Sequence, residues 1–471
     1  MIVALLSLLF TPTPLDQLLD KPELAGSLIG VHVCELDGTP LYSRNEKLRL
    51  MPASNQKINT VAYALWRLGP DYRPTTKFWK MADRIVVQSD GDPSMTYDDL
   101  VAIKKKLQAK DDIPVFVNQS YRPGFGPGWE WDDLPNRYAP AICAFSVDKG
   151  GFELWADPAK VWMKSSTFGI KLRRIDAEKT SWNFDFQNRI MTFRGPLPKS
   201  SAMLEAFAIP EPDRAAALTI GSYFLPTTDV PNGEPDYIHR GKPMSELAKL
   251  CLVPSDNFIA ENLLFMAAQK EGPLGANPWD TAQKRMKSFL VKEVGLEPSE
   301  VDPYDGSGLS RHNNVTSSGI AKLLRWAKRQ PTAALWMDSL AVPGSGTLRN
   351  RLKDSSFRGK TGTLNKVVSL SGYCKVKGGR EVVVSIVFNH FLGDSAVARN
   401  TADEFVRKIE SGNAFGTNLE VAFDHANRLP FPNDHASAWN WNSRHDRDRG
   451  LARSRSDRRN ESADESVHRA K

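Results

Sequence analysis

Ser54 and Lys57 stand three residues apart at the head of an apolar helical run through Ala62, Leu65 and Leu68 to Gly69, and this stretch constrains the chain more than any other. On a helix, that spacing puts both side chains on one face with Cβ atoms about 5–6 Å apart, so the ammonium can reach the hydroxyl. A serine hydroxyl is a poor nucleophile at neutral pH. A neighbouring amine can act as its base once burial or nearby positive charge lowers the amine pKa from about 10.4. Pro52 suits the first turn of a helix, where a missing N–H costs nothing. Ser54 is therefore expected at a helix N-terminus, its own N–H among the unpaired donors available to an oxyanion. Alone, Ser-x-x-Lys says little, because such tetrapeptides recur by chance and usually mark a solvated helix face.

Two companions follow in order, Ser255-Asp256-Asn257 and Lys360-Thr361-Gly362. The three together are the signature of class A β-lactamases and penicillin-binding proteins. The 201-residue gap from Ser54 to Ser255 is far longer than the some dozens of residues a class A β-lactamase leaves there. In this the chain resembles the low-molecular-mass penicillin-binding D-alanyl-D-alanine carboxypeptidases/endopeptidases, which carry a large inserted domain between the first two motifs. Further blocks are similar to that family's: Gly91-Asp92-Pro93-Ser94, Gly128-Trp129-Glu130-Trp131-Asp132-Asp133-Leu134, Asp305-Gly306-Ser307-Gly308-Leu309-Ser310-Arg311 and Ser345-Gly346-Thr347-Leu348.

The resemblance implies an α/β (α+β) fold: a β-lactamase/transpeptidase-like catalytic domain with an antiparallel sheet flanked by helices, and an inserted, mostly β domain. The expected division is a signal segment over 1–14, the catalytic domain over 15–75 and 238–411, the insertion over 76–237, and a disordered charged tail over 412–471. The implied activity is a serine-type D-Ala-D-Ala carboxypeptidase, with endopeptidase action on peptidoglycan crosslinks as a second activity. Ser54 would be the nucleophile and Lys57 its base. Ser255 would relay the proton to the leaving amine, and Asn257 would hold the substrate amide while contacting Lys57. Lys360 would add positive charge that depresses the Lys57 pKa. Thr361 and Thr363 would bind the terminal carboxylate, and Gly362 would leave room for a peptide lying along the strand. The N–H groups of Ser54 and Thr363 would form the oxyanion hole. Asp133 and Arg311 match family residues facing the ammonium and carboxylate of a diamino acid, with Tyr138 lining the same pocket. Apart from the resemblance, Trp129 and Trp131 read as a core aromatic pair among solvated acids, and Arg311 as a surface salt-bridge residue.

Local patterns agree with this division. Residues 28–36 and 39–43 alternate around Asp37-Gly38 as a hairpin. From about 75 to 237, short apolar runs are broken by Gly, Pro and Asp, with helical spacing only over 100–108. Helical patterns return over 243–255, 260–266, 282–291, 320–327 and 402–409. Residues 357–362, 369–375 and 382–388 read as consecutive strands, which would put Lys360 at an antiparallel sheet edge.

The formal charge of +7 on 471 residues does not imply nucleic acid, since 443–471 alone holds nine Lys/Arg against six Asp/Glu and no other basic stripe carries aromatics. The apolar run 2–10 is too short to span a bilayer, and it resembles a signal h-region without a basic n-region. Residues beyond 440 are too polar to offset their ordering entropy. Cys34, Cys143, Cys251 and Cys374 read as buried thiols, with a disulfide left open should the chain be exported. No cofactor or metal site is indicated. The expected partners are peptidoglycan stem peptides and β-lactams, and the expected location is the exterior of the cytoplasmic membrane, periplasmic or associated with the cell envelope. A β-lactamase and a catalytically silent peptidoglycan-binding scaffold are the rival readings. The first lacks a class A acid block in register; against the second, all three motifs are intact.

Overall fold

The computed structural model describes residues 12–167 and 169–414. Residues 1–11 of the expected signal segment and 415–471 of the expected tail lie outside the described residues.

The chain begins with α1 (Pro14–Leu19), capped by Thr13 and burying Leu15, Leu18 and Leu19. The hairpin β1 (Leu28–Glu35) and β2 (Pro40–Arg44) follows, and then α2 (Gln56–Leu68), stopped by Gly69 at φ 81°. The sheet is completed only from the far end of the chain, by β16 (Arg358–Leu364), β17 (Val367–Lys375) and β18 (Glu381–Asn389). Its order is β16-β17-β18-β1-β2, antiparallel throughout, with Val31 opposite Ile386 and Lys360 opposite Ser371. Gly378 and Gly379, both at positive φ, make the turn from β17 to β18.

Residues of β17 and β18 are buried almost without a break, because helices cover both faces of the sheet. On one face lie α8 (Ser317–Lys328) and, beyond it, α2; on the other, α10 (Ser395–Glu410) packs with α1. α5 (Met244–Leu252), α6 (Asn257–Gln269), α7 (Pro278–Lys292) and α9 (Ala333–Ser339) complete the helical layer. This is the antiparallel sheet flanked by helices that the motif resemblance implied. α10 starts seven residues before the periodic run at 402, since Asp394 caps it by accepting from the Ala396 N–H.

Between α2 and α5 lies a five-stranded sheet of order β12-β5-β4-β3-β13: β3 (Thr75–Lys80), β4 (Ile85–Ser89), β5 (Pro114–Gln119), β12 (Tyr223–Pro226) and β13 (Tyr237–Arg240). The pairs β4–β5 and β5–β12 are parallel. Parallel neighbours need a crossover, and α3 (Tyr97–Lys106) supplies the one from β4 to β5. Two three-stranded sheets accompany it, one of β6 (Gly151–Ala156), β7 (Val161–Lys164) and β11 (Ala202–Ala208), the other of β8 (Lys171–Ile175), β9 (Ser181–Asp185) and β10 (Ile190–Arg194). α4 (Pro212–Ile220), which the sequence reading did not anticipate, packs against α3. One hydrophobic core draws only on residues between Phe78 and Ile220, whereas Tyr121, Ile142 and Ala144 join the core of the helical layer. All four cysteines are buried and free.

Candidate active site

Ser54 sits in a 3-10 turn, Ala53–Asn55, which runs straight into α2. Ala53 is in the left-handed region, φ 49°, an uncommon place for a residue with a Cβ. The turn is tied to the sheet beneath it: Asn55 Nδ2 donates to Ser371 Oγ at 2.7 Å, and Ser369 Oγ donates to the Pro52 carbonyl at 2.7 Å. One turn further on, Lys57 is 0 % exposed. Its ammonium donates to Ser54 Oγ at 3.0 Å, Asn257 Oδ1 at 2.6 Å and the Ser307 carbonyl at 2.7 Å. The i, i+3 spacing thus brings amine and hydroxyl together as the helix geometry requires. Burial lowers the Lys57 pKa, against the raising effect of Asp305, Glu261 and Asp256.

The second motif lies where α5 ends and α6 begins. Ser255 takes φ 67°, and Asp256 caps α6 by accepting from the Ile259 N–H at 2.9 Å. Asn257 therefore opens the helix, with Oδ1 on Lys57 and Nδ2 donating to the Tyr138 carbonyl at 2.8 Å. Lys360, on the edge strand β16, is also fully buried; its ammonium donates to Ser255 Oγ and to the Thr361 carbonyl, each at 2.8 Å. Burial first, and then the like charge of Lys57, hold Lys360 well below its ordinary pKa. Burial, one of the two causes expected, is the chief one for the lowered Lys57 value, and the charge of Lys360 is not among the leading ones.

Gly362 carries a constraint that the sequence did not show. A Cβ there would stand 2.2 Å from Ser369 Oγ, 2.8 Å from the Pro52 carbonyl oxygen and 3.0 Å from the Ser54 nitrogen. The missing side chain lets β16 close on the nucleophile turn, so the glycine also helps to position Ser54. Thr361 Oγ1 is engaged by Thr347 Oγ1 at 2.7 Å, and Thr363 is exposed beside the cleft.

Sequence reasoning missed the braces of the 305–311 loop. Glu261 lies in the buried, mostly apolar run of α6 and accepts from the N–H groups of Gly306 and Ser307 at 2.7 and 2.8 Å. Burial and the nearby Asp305 push its carboxyl up. Asp305 in turn accepts from the N–H groups of Gly308 and Ser310, both at 2.6 Å, and from Trp129 Nε1 at 3.0 Å. These bonds fix the Ser307 carbonyl that holds Lys57. A glutamate within an apolar helical pattern was the available signal.

The cleft, about 480 Å³, is lined by Ser54, Ser255, Asn257 and Thr363 together with Asp133, Tyr138 and Arg311. Tyr138 donates to Asp133 Oδ1 at 2.9 Å. Arg311 is not free. It donates to Glu130 Oε1 at 2.7 Å and to the Asn365 carbonyl at 3.0 Å, and Glu130 had been given no role. The two tryptophans do not form a core pair: Trp129 packs edge-on against Trp279, while Trp131 is exposed.

The family model described as D-Ala-D-Ala carboxypeptidase 3 (S13) matches residues 12–410. A D-alanyl-D-alanine carboxypeptidase of Actinomadura sp. (strain R39) is 28% identical over 444 residues, covering 82% of this chain and 82% of that protein. The D-alanyl-D-alanine carboxypeptidase DacB of Haemophilus influenzae is 23% identical over 398 residues, 73% of this chain and 82% of its own. In structure, penicillin-binding protein 4 (dacB) from Haemophilus influenzae superposes with a TM-score of 0.70 at 22% identity, over 84% of this chain and 99% of that one. A second crystal structure of that protein, complexed with a β-lactam, gives a TM-score of 0.67.

Proposed function

The chain belongs to the D-Ala-D-Ala carboxypeptidase 3 (S13) family, and from that premise we propose how its own residues carry out the reaction. It is a serine-type D-Ala-D-Ala carboxypeptidase, a hydrolase. Supporting the assignment is a buried Lys57 ammonium within 3.0 Å of Ser54 Oγ and 2.6 Å of Asn257 Oδ1.

In its neutral form Lys57 takes the Ser54 proton as Oγ bonds to the carbonyl carbon between the two terminal D-alanines. The oxyanion that forms accepts from the N–H groups of Ser54 and Thr363, each such donor contributing on the order of 3 kcal/mol. The C–N bond then breaks. The departing amine takes a proton through Ser255, whose hydroxyl is held by Lys360, and water hydrolyses the acyl-enzyme with return of the proton to Ser54. Thr361 and Thr363 receive the terminal carboxylate. Asp133 receives the ammonium of a diamino acid on the acyl side, and Arg311, released from Glu130, its carboxylate.

The same chemistry cleaves crosslinks, where the leaving amine belongs to a second stem peptide, and a β-lactam acylates Ser54 in place of the peptide. We assign catalysis to 15–74 and 241–411, with 75–240 as an inserted domain walling the cleft through Asp133; the boundaries expected at 75/76 and 237/238 move because Thr75 of β3 pairs with Arg240 of β13 in the inserted sheet. The substrate lies outside the cytoplasmic membrane, so we infer export; no helix among the described residues is long and apolar enough to cross a membrane. The test is mass spectrometry of products from purified pentapeptide and crosslinked muropeptides, with labelled penicillin on wild type and Ser54→Ala. Loss of terminal D-alanine and a label confined to wild type are expected; a Ser54→Ala protein labelled at wild-type stoichiometry overturns the assignment.

A further inference from the structure

A second cavity, about 650 Å³, opens between the loop after Gly346 and one face of α10. Four arginines line it: Arg349 and Arg351 from the loop, Arg399 and Arg407 from α10. Arg399, Asp403 and Arg407 are four residues apart in turn, which aligns them on one helix face. Asp403 is already neutralised, since Arg351 grips both its oxygens at 3.1 and 2.7 Å. Arg349, Arg399 and Arg407 have no carboxylate partner among the described residues. Three unpaired guanidiniums around one cavity repel each other and favour an anion, and their planar forks match carboxylates.

The place of the cavity says which anion. Its wall includes Thr347, whose hydroxyl meets that of Thr361 at 2.7 Å. Thr363 and Leu364 at the end of β16, with Asn365 just after it, line the catalytic cleft, while Thr361, two residues before Thr363, touches Thr347 of the cavity wall. The cleft around Asp133 and Arg311 holds the acyl part of the substrate. In the mechanism above Thr361 receives the carboxylate of the residue that departs, so a group attached to that residue leads towards Thr347 and the cavity wall. A departing D-alanine would leave most of such a volume empty.

We propose that this cavity is the leaving-group subsite for crosslinked substrates, with Arg349, Arg399 and Arg407 binding carboxylates of the second stem peptide on the amine side of the scissile bond. The inference rests on the mechanism proposed above and extends it to specificity. The three arginines are positioned to lower KM for an anionic leaving peptide and have no part in bond breaking.

The test uses the full chain with Arg349→Ala, Arg399→Ala and Arg407→Ala combined, positions at which the side chains are exposed or half-buried. Hydrolysis of a purified crosslinked dimer, hydrolysis of a pentapeptide ending in D-Ala-D-Ala, and acylation by labelled penicillin are compared with wild type. The expected result is a loss of about tenfold or more in kcat/KM for the dimer, mainly through KM, with the other two rates within about twofold. Added salt should slow dimer cleavage by wild type and hardly affect the variant. Equal losses on all three substrates, unchanged dimer cleavage, or a wild type that cleaves pentapeptide but no dimer would each overturn the subsite. A wild type that neither binds penicillin covalently nor cleaves pentapeptide would instead overturn the mechanism beneath it.

Discussion

Gly308 lies so close to Ala53 that a Cβ built on it would stand 1.8 Å from the Ala53 carbonyl oxygen. The loop that presents the Ser307 carbonyl to Lys57 and the turn that carries Ser54 are therefore interlocked, with Gly308 at φ 83° and Ala53 at φ 49°. Nucleophile and base are set by two segments some 250 residues apart in the chain, so a change in either should be felt at both.

Gly308→Ala must move the Ala53 turn and also occupy a left-handed backbone position, a strain of roughly 1–2 kcal/mol before any clash. Acylation by penicillin should slow by about tenfold or more and the melting temperature should fall. Stopped-flow acylation and thermal melting check this. Wild-type values for both would show that the loop and the turn move independently.

Gly362→Ala should displace Ser54, because the space at Gly362 faces the Pro52 and Ser54 backbone. Rates for penicillin and for peptide should then fall in parallel. A loss confined to peptide would mean instead that the new methyl obstructs a substrate lying on β16.

Lys57→Met should remain folded while losing about 10²- to 10⁴-fold in acylation, the usual range for a positioned base. The pH dependence follows from burial. The folded-state pKa of Lys57 lies below 10.5, so the acid limb of acylation, where the base becomes protonated, should also lie below 10.5. Between the folded value and 10.5 the unfolded chain binds the extra proton, so stability rises with pH there; the cost of burying this lysine is full below the window and gone above it. The stability gap between Lys57→Met and wild type should accordingly shift in favour of wild type as pH rises towards 10.5, measured by denaturant unfolding. A pH-independent gap would contradict the lowered pKa.

Asp133→Ala should lower kcat/KM for peptides with a free diamino-acid head and leave simple penicillins unaffected, since those do not reach the pocket. Glu130→Gln should act the other way. It removes the charge that occupies Arg311 at 2.7 Å, so peptides carrying the diamino-acid carboxylate should show a lower KM. Equal effects on peptide and penicillin in either variant would assign these acids to support of the fold.

Breaking the Arg351–Asp403 pair should be costly, as both side chains are largely buried, 14% and 8% exposed. Arg351→Ala would leave Asp403 charged without a partner, a loss of about 3–5 kcal/mol. Urea unfolding is the measurement, and a change below about 1 kcal/mol would show that the loop relaxes to let water reach Asp403.

Much of this was legible in the sequence, because it is local. Ser-x-x-Lys at one helical turn, the apolar periodicity of α2, α7 and α8, the Asp37-Gly38 hairpin and the three strands around Lys360 each depend on neighbours within a few residues, where backbone geometry alone fixes which side chains share a face. The seven-residue α9 escaped because so short a run carries too little periodic signal, and α4 because its middle is three alanines, which mark no apolar face. The parallel pairs β4–β5 and β5–β12 escaped because pairing direction is set by long connections and not by strand composition. At the site, only the tertiary structure decided that the Lys57 pKa is lowered mainly by burial, that Glu261 and Asp305 brace the loop that holds it, that Gly362 lets β16 close on the nucleophile turn, and that Glu130 occupies Arg311. Desolvation and hydrogen bonding are properties of the surroundings of a side chain, and here the contacts that matter join segments from 45 residues apart, as for Glu261 and Gly306, to 250 apart, as for Lys57 and Ser307, which no short window along the chain can contain.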